Sequence, residues 1–467
     1  MQAHPQLDRV GPFHQTPPRL QEHLINQIET AHRAVIDPRR AGAVPAWRRL
    51  AALLDADGIV EYGALAGERN RADDAAAADG LIAVSGSVAG APVLAAAFDE
   101  TVIDGTQSAR NLRKLAKLIY LAQRHRWPLV MFVTGAGARA SDPLPAPPIL
   151  AQGRGRWDVL DGLAELSGWS PTVAVLSGVI EDGHLALAML CDCVIAEREA
   201  MLGSEDSGRV EARAYARSGD LDVLAQDETD AVQAVRRYLG YYAHNEETKA
   251  QAHPDHDGLA DVIPENRRRP YDMRKVVERF ADAGSVLELG AEWGKSMLTS
   301  LARLDGRTVG IFANQPKSPL AGAIDWQAAD KAARFIELCD AYAYPLVSFV
   351  DNPGYMVGPQ AESDGIARHH PRPLSALHHR SVPLCSVQVR KAYGLGPYAM
   401  SGFGVGRVMP ELRLAWPSVE SGGMSLEGAA YLVKRKEILA AETPAEATAI
   451  RDAYAEQMRD AASGVRA

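Results

Sequence analysis

One arrangement is written twice in this chain. Residues 92–139 read PVLAAAFDETVIDGTQSARNLRKLAKLIYLAQRHRWPLVMFVTGAGAR, and residues 308–355 read TVGIFANQPKSPLAGAIDWQAADKAARFIELCDAYAYPLVSFVDNPGY. Each copy runs from an apolar strand through a polar, Gly-bearing loop into a helix, then Pro-Leu-Val and a second apolar strand that ends in a Gly loop. The helices carry apolar residues at helical spacing: Leu112, Leu115, Ile119 and Ala122 in the first, Ala332, Phe335, Ile336 and Cys339 in the second. The pattern continues beyond the first segments. TVAVLSGVIEDGHLALAML (172–190) matches PLCSVQVRKAYGLGPYAMSG (383–402), each a strand, a Gly-containing turn and a helix. Each half is therefore expected to be a ββα-type superhelical α/β unit with strand–turn–helix corners.

A chain of 467 residues is too long for one ordinary core, and two domains of roughly 200 residues each are expected. We place them at residues 1–255 and 270–467, separated by the hydrophilic stretch 242–271, which includes HNEETKAQAHPDHDG and ENRRRP. The first 60 residues read as helical with mixed charge. Residues 80–98 read as two short strands turned at Ala89-Gly90. Net charge is −9, which argues against general binding to nucleic acid or to an anionic membrane. No apolar run reaches the roughly 18 residues of a membrane helix, and the opening MQAHPQLDRVGPFHQ is not expected to be a signal peptide. Cys191, Cys193, Cys339 and Cys385 have no zinc spacing and read as buried thiols of a reducing, cytoplasmic protein.

A loop that leads from a strand into a helix presents free backbone N–H groups, and glycine lets a ligand come close to them. Two such loops facing one another can stabilise an oxyanion. Each half offers a pair: 134–139 with 181–184, and 352–354 with 394–396. Two holes are what a transfer between two carbonyl partners needs.

The residues at these loops resemble the carboxyltransferase subunits of biotin-dependent acyl-CoA carboxylases, within the crotonase superfamily. DNPGYMVGPQAESDGIARH (351–369) is similar to the family's Asp-Thr-Pro-Gly-Phe loop and following helix. VRKAYGLGPYAMSG (389–402) is similar to its Arg-Lys-Gly-Tyr-Gly-Leu-Gly segment. AWPSVESGGMSLEGA (415–429) is similar to its Trp-Pro…Gly-Gly-Met stretch, and AGAIDWQAADKAARFIELCDAY (321–342) to the start of its helix. The resemblance spans roughly residues 35–440.

It implies tandem crotonase-type domains, with coenzyme A docked on the N-terminal domain and biotin on the C-terminal one. The reaction implied is carboxyl transfer from carboxybiotin to the α-carbon of an acyl-CoA through an enolate, at a site between the N-domain of one subunit and the C-domain of another. The implied catalytic positions are Ala136, Gly137, Gly183 and His184 around the thioester oxygen, with Gly354, Leu395 and Gly396 around the ureido carbonyl of carboxybiotin. Arg48, Arg49 and Arg139 are candidates for the coenzyme A phosphates and substrate. Tyr355 and Tyr393 flank the biotin loops, either against its ring or as core aromatics, and Arg390 and Lys391 are placed to attract a carboxylate. Pro397 has no N–H, so only Leu395 and Gly396 donate there. The partners implied are a biotin carboxylase and a biotin carrier, in a homo- or hetero-oligomer, with a ring-like hexamer suggested. No metal is implied, and His369, His370, His378 and His379 read as a solvated helix face.

The chain departs from that pattern in its first half. Ala136 stands in a glycine place, EDGHLALAM replaces a small-residue turn, and the charged GSEDSGRVEARAYARSGDL (203–221) replaces a Gly-rich stretch. Residues 440–467 hold no counterpart of the family's terminal Asp-Asp-Val-Ile-Asp-Pro segment. Glu181 and Asp182 would bring negative charge to a forming enolate, which a low-dielectric site penalises. Two alternatives therefore stand: a biotin-independent acyl-CoA decarboxylase, with Arg209, Arg213 or Arg217 holding a substrate carboxylate, or a non-catalytic subunit that pairs with an active homologue.

Overall fold

The computed structural model describes residues 44–66, 78–139, 159–242, 258–267, 269–401 and 409–462, with a few isolated positions between 23 and 30. The repeat folds as two sheets of one design. In the first, β1 (Val60–Tyr62), β2 (Leu81–Val88), β3 (Ala91–Phe98), β4 (Leu129–Gly135), β5 (Thr172–Ile180) and β6 (Cys193–Glu197) lie side by side in that order. A small pair, β7 (Met201–Leu202) and β8 (Val210–Glu211), extends from β5, and β9 (Val223–Ala225) closes the edge beside β6. In the second, β10 (Leu287–Glu288), β11 (Met297–Leu304), β12 (Arg307–Asn314), β13 (Leu346–Asn352), β14 (Leu384–Tyr393) and β15 (Leu412–Ala415) follow in order, and β16 (Glu420–Gly422) runs along the far end of β14. Both sheets open with an antiparallel hairpin and continue parallel.

The duplication extends to irregularities. The β4–β5 register shifts between Val133 and Gly135, and the β13–β14 register shifts at the matching place, between Val350 and Asn352. A lone parallel bridge joins Gln107 to Ala138 in one half and Ile324 to Tyr355 in the other. The crossover helix Ala109–His125 starts at Ser108, whose hydroxyl accepts the amides of Arg110 and Asn111. Its counterpart Trp326–Ala341 starts at Asp325, whose carboxylate accepts the amide of Ala328. All eight apolar positions read from helical spacing are buried. The β2–β3 turn falls at Ala89-Gly90, as expected, with both residues at positive φ.

The two halves do not keep separate cores. One buried cluster runs across them, joining Phe132, Val235 and Tyr238 to Leu301, Phe312 and Phe335. Polar ties cross the same seam: the Tyr342 hydroxyl donates to Asp192 at 2.7 Å, and Arg334 pairs with Asp222 at 3.1 Å. The stretch read as a linker is anchored at its end, where the buried Tyr271 donates its hydroxyl to Asp351 at 2.9 Å; residues 243–257 lie outside the described residues. Cys191 and Cys193 are buried in different core clusters, Cys191 standing before the first residue of β6. Cys385 departs from expectation by being only half-buried.

Candidate active site

Both loop pairs sit at the carboxyl ends of the parallel strands, where open α/β sheets place ligands. In the first half the Glu181 amide donates to the Gly135 carbonyl at 3.2 Å, and this ties the loop after β4 to the loop after β5. Gly135, at φ 121°, packs so close to the Asp104 and Gly105 carbonyls that a Cβ would lie 2.7 Å from each. The close approach costs the loop one donor, because the Ala136 amide is spent on Asp104 O at 3.0 Å. The His184 amide likewise turns back to Glu181 O at 2.9 Å. Gly137, at φ 33°, and Gly183, in the first turn of the helix Asp182–Ala188, keep N–H groups with no hydrogen-bond partner among the described residues. Of the four expected positions, Gly137 and Gly183 are therefore open, while Ala136 and His184 are closed.

The His184 imidazole is structural. It is fully buried, edge-on to Phe98, with Nε2 at 2.9 Å from the Gly105 carbonyl and Nδ1 at 3.3 Å from Gln107 Nε2. Burial pushes its pKa down to about 4, so the ring is neutral. A carbonyl only accepts, so Nε2 carries the proton and Nδ1 accepts from the Gln107 amide. That fixes the orientation of Gln107 and leaves its Oε1 without a partner, 2.8 Å from where a Cβ on Gly183 would stand.

Two expected cations are also committed elsewhere. Arg139 is buried in an ion pair with Asp79 at 2.6 Å and donates to Thr106 Oγ1 at 3.2 Å. Arg49 is buried and gives both terminal nitrogens to Glu100, at 3.1 Å each, and its Nε to Glu228 at 3.2 Å. Neither can meet a phosphate without breaking those pairs. Arg48, its neighbour on the helix Pro45–Leu53, is exposed.

In the second half the fully buried Asn352 ends β13 and shapes the loop. Its Oδ1 accepts the Gly354 amide at 2.6 Å, an Asx turn around Pro353. Gly354 is therefore closed as a donor. Across from it, Gly394 at φ 63° donates to Gly422 O at 2.9 Å and turns the chain into the helix Gly396–Ser401. Leu395 and Gly396 keep amides with no partner among the described residues. Gly396 is cradled by Asn352, and a Cβ there would meet Oδ1 at 2.5 Å. The Asn352 Nδ2 is buried without a partner beside it.

The aromatic and cationic candidates of this half are largely engaged. Tyr393 is buried and donates to Glu420 at 2.7 Å, and burial pushes its pKa up to about 12; it is a core aromatic. Tyr355 packs on His370, with centroids 3.9 Å apart, and donates to the His370 carbonyl at 2.9 Å. Arg390 and Lys391 both face the buried Asp351, at 3.2 and 3.5 Å. In the histidine-rich segment, His369 Nδ1 lies 2.7 Å from Asp330. Among the described residues no group of His, Cys, Asp and Glu has metal-site geometry.

Sequence reasoning missed Gln107 and Asn352. Asn352 did carry a signal, as an Asn before Pro-Gly at the end of an apolar strand. Gln107 carried none. A cavity of about 790 Å³ lies elsewhere, lined by Arg126, Trp127, Trp169 and Tyr342 at the amino ends of β4, β5 and β13.

The comparisons with known proteins agree with this architecture. The carboxyl transferase domain family matches residues 38–465. The chain is 36% identical over 395 residues to an uncharacterized carboxylase of Bacillus subtilis, covering 80% of this chain and 76% of that protein. It is 32% identical over 429 residues to the methylmalonyl-CoA carboxyltransferase 12S subunit of Propionibacterium freudenreichii subsp. shermanii, covering 86% and 80%. It is 31% identical over 474 residues to the biotin-dependent long chain acyl-coenzyme A carboxylase beta4 subunit of Mycobacterium tuberculosis, covering 95% and 88%. Among solved structures, a single-chain, multi-domain long-chain acyl-CoA carboxylase superposes with TM-score 0.83 at 33% identity over 97% of this chain, which spans 48% of that longer polypeptide. The transcarboxylase 12S hexamer, solved with methylmalonyl-coenzyme A bound, superposes with TM-score 0.77 at 31% identity, covering 94% of this chain and 88% of that one. This chain belongs to the carboxyl transferase domain family.

Proposed function

We propose that this chain transfers a carboxyl group from carboxybiotin to the α-carbon of an acyl-coenzyme A thioester through an enolate. The observation that carries the reading is the pairing of loops in both halves. Gly137 and Gly183 each keep an unspent amide on loops tied together through Glu181 and Gly135, and Leu395 and Gly396 do the same beside Asn352. Gly137 and Gly183 N–H groups hold the thioester oxygen as it gains charge, which lowers the barrier to losing the α-proton. Leu395 and Gly396 N–H groups polarise the ureido carbonyl of the donor. Carboxybiotin, carried on a partner, supplies the carboxyl group and, once freed of it, a base for the α-proton. Position 396 demands glycine, since a Cβ there would collide with the Asn352 side chain that stands beside the two open amides.

In this reading residues 1–255 form the acyl-CoA side and residues 270–467 the biotin side. A biotin carboxylase and a biotin carrier are the partners. Their addition accords with the longer single-chain carboxylase, of which this chain spans 48%. An oligomer of the kind seen for transcarboxylase 12S brings the two sides of different subunits together. Arg48 remains the exposed candidate for coenzyme A phosphates.

The test supplies the chain with a biotin carboxylase, a biotinylated carrier, bicarbonate, ATP and a panel of acyl-CoAs. Carboxylated acyl-CoA is expected with wild type and is lost with Gly396→Pro, which removes a donor. Turnover of malonyl-type thioesters without biotin would instead support the decarboxylase reading. Neither activity, with co-purification of a homologue, would support the non-catalytic one.

A further inference from the structure

The first half places a carboxylate where the proposed reaction builds negative charge. Glu181 lies against Gly137: a Cβ on Gly137 would sit 3.8 Å from Glu181 Cβ and 3.9 Å from its Oε2. The same residue precedes the helix that carries the Gly183 amide. Uncompensated, that charge opposes an oxyanion held between Gly137 and Gly183.

The fold brings a cation to it. The strand pair β7–β8 is docked on the end of β5, with Met201 and Leu202 in register with Val179 and Ile180. The Gly203 amide donates to Ile180 O at 3.1 Å. Gly203, at φ 114°, has no room for a side chain, since a Cβ would lie 2.9 Å from Gly208 O. This tight hairpin aims Arg209 at Glu181, with Nη2 at 2.6 Å from Oε1. Its second carboxylate contact, the exposed Glu205, is longer at 3.7 Å.

We propose that Arg209 is a positioning residue for the acyl site, cancelling and restraining the Glu181 carboxylate so that an enolate can form beside it. The inference rests on the carboxyl-transfer reading above. It explains how an acidic turn in place of a small-residue one is compatible with chemistry, because the pair presents little net charge to the hole.

The experiment is a charge cycle in the reconstituted carboxylation assay. Arg209→Gln is expected to lower kcat by tenfold to hundredfold, the effect of one unpaired carboxylate a few ångströms from a developing charge. KM for the acyl-CoA should change little. Arg209→Lys should retain most of the rate, and Glu181→Gln/Arg209→Gln should return to within about threefold of wild type. A purely structural role predicts instead that the double variant is as slow as the single one and that thermal stability falls with rate. That result, or an Arg209→Gln enzyme as fast as wild type, overturns the inference while leaving the carboxyl-transfer reading intact. A wild-type protein without any turnover would fail the reading itself. In that event the affinity for carboxymethyl-coenzyme A, an anionic probe of the hole, decides: weakening in Arg209→Gln with recovery in the double variant supports the pairing, and unchanged affinity ends it.

Discussion

In the first half the turn Ala89-Gly90 gives both its amides to the carboxylate of Asp55, at 3.2 and 2.9 Å. In the second half the turn Asp305-Gly306 gives both of its own to Asp282, at 3.0 and 2.8 Å. Lys114 donates to the carbonyls of Ala78 and Leu81 just before and within β2. Lys331, six residues into its helix from the capping residue as Lys114 is, donates to Gly290, Trp293 and Met297. This polar skeleton of the two sheets is thus held in common.

The loops themselves differ. The first half shapes its hole with a buried chain, Gln107 to His184 to Gly105, and covers it with the Glu181–Arg209 pair. The second half uses a single Asn352, which closes its turn and cradles Gly396. The contacts that fix the strands are shared between the halves, and the loops proposed to meet the ligand are not. Such divergence is what the proposed function expects, since it gives the two halves chemically different partners.

The sharpest way to break the comparison is to fill the glycine of each hole. Gly183→Ala and Gly396→Ala should each lower carboxyl transfer by at least a hundredfold, about 3 kcal/mol. The added methyl would collide with Gln107 Oε1 in the first and with the Asn352 amide in the second. Assayed by half-reactions, Gly396→Ala should block the step involving biotin and spare acyl-CoA binding, while Gly183→Ala should show the converse. The skeleton should behave alike in both halves. Lys114→Met and Lys331→Met each strand buried carbonyls and should cost roughly 2–3 kcal/mol of unfolding free energy in denaturant titrations. The loss should not change kcat per folded molecule.

His184 gives a pH signature confined to the first half. Its folded pKa, pushed down to about 4, lies below the ordinary value of about 6.5, so the unfolded chain binds the extra proton. Its contribution is therefore complete above the unfolded pKa and declines as pH falls. Between pH 7 and pH 5 it should account for about 2 kcal/mol of lost stability. His184→Gln should flatten that part of the pH–stability curve. The smallest expected effect concerns the turns. Ala89 holds φ 51°, where the equivalent second-half residue is Asp305, so Ala89→Asn should stabilise the protein by about 0.5–1 kcal/mol.

The scaffold was legible because its signals are local. Apolar runs, helical spacing and the Pro-Leu-Val junctions specify strands and helices without reference to anything distant. The glycines marking the loops were legible for the same reason. Which amides remain open was not, because Ala136 is closed by Asp104 O and Gly354 by Asn352 Oδ1, both facts of close approach in space. Arg49 and Arg139 misled for a related reason. An arginine's sequence neighbours do not reveal that Glu228 or Asp79 will bury it. Arg209 sits in a segment with several other arginines, and only the docking of β7–β8 on β5 selects it.

The most direct test of the account is a crystal structure of the assembled enzyme with an acyl-coenzyme A bound. The account predicts the thioester oxygen within about 2.7–3.1 Å of the Gly137 and Gly183 amide nitrogens. A thioester seated elsewhere, as in the cavity beside Trp169 and Tyr342, with those two amides turned from it, would contradict the account.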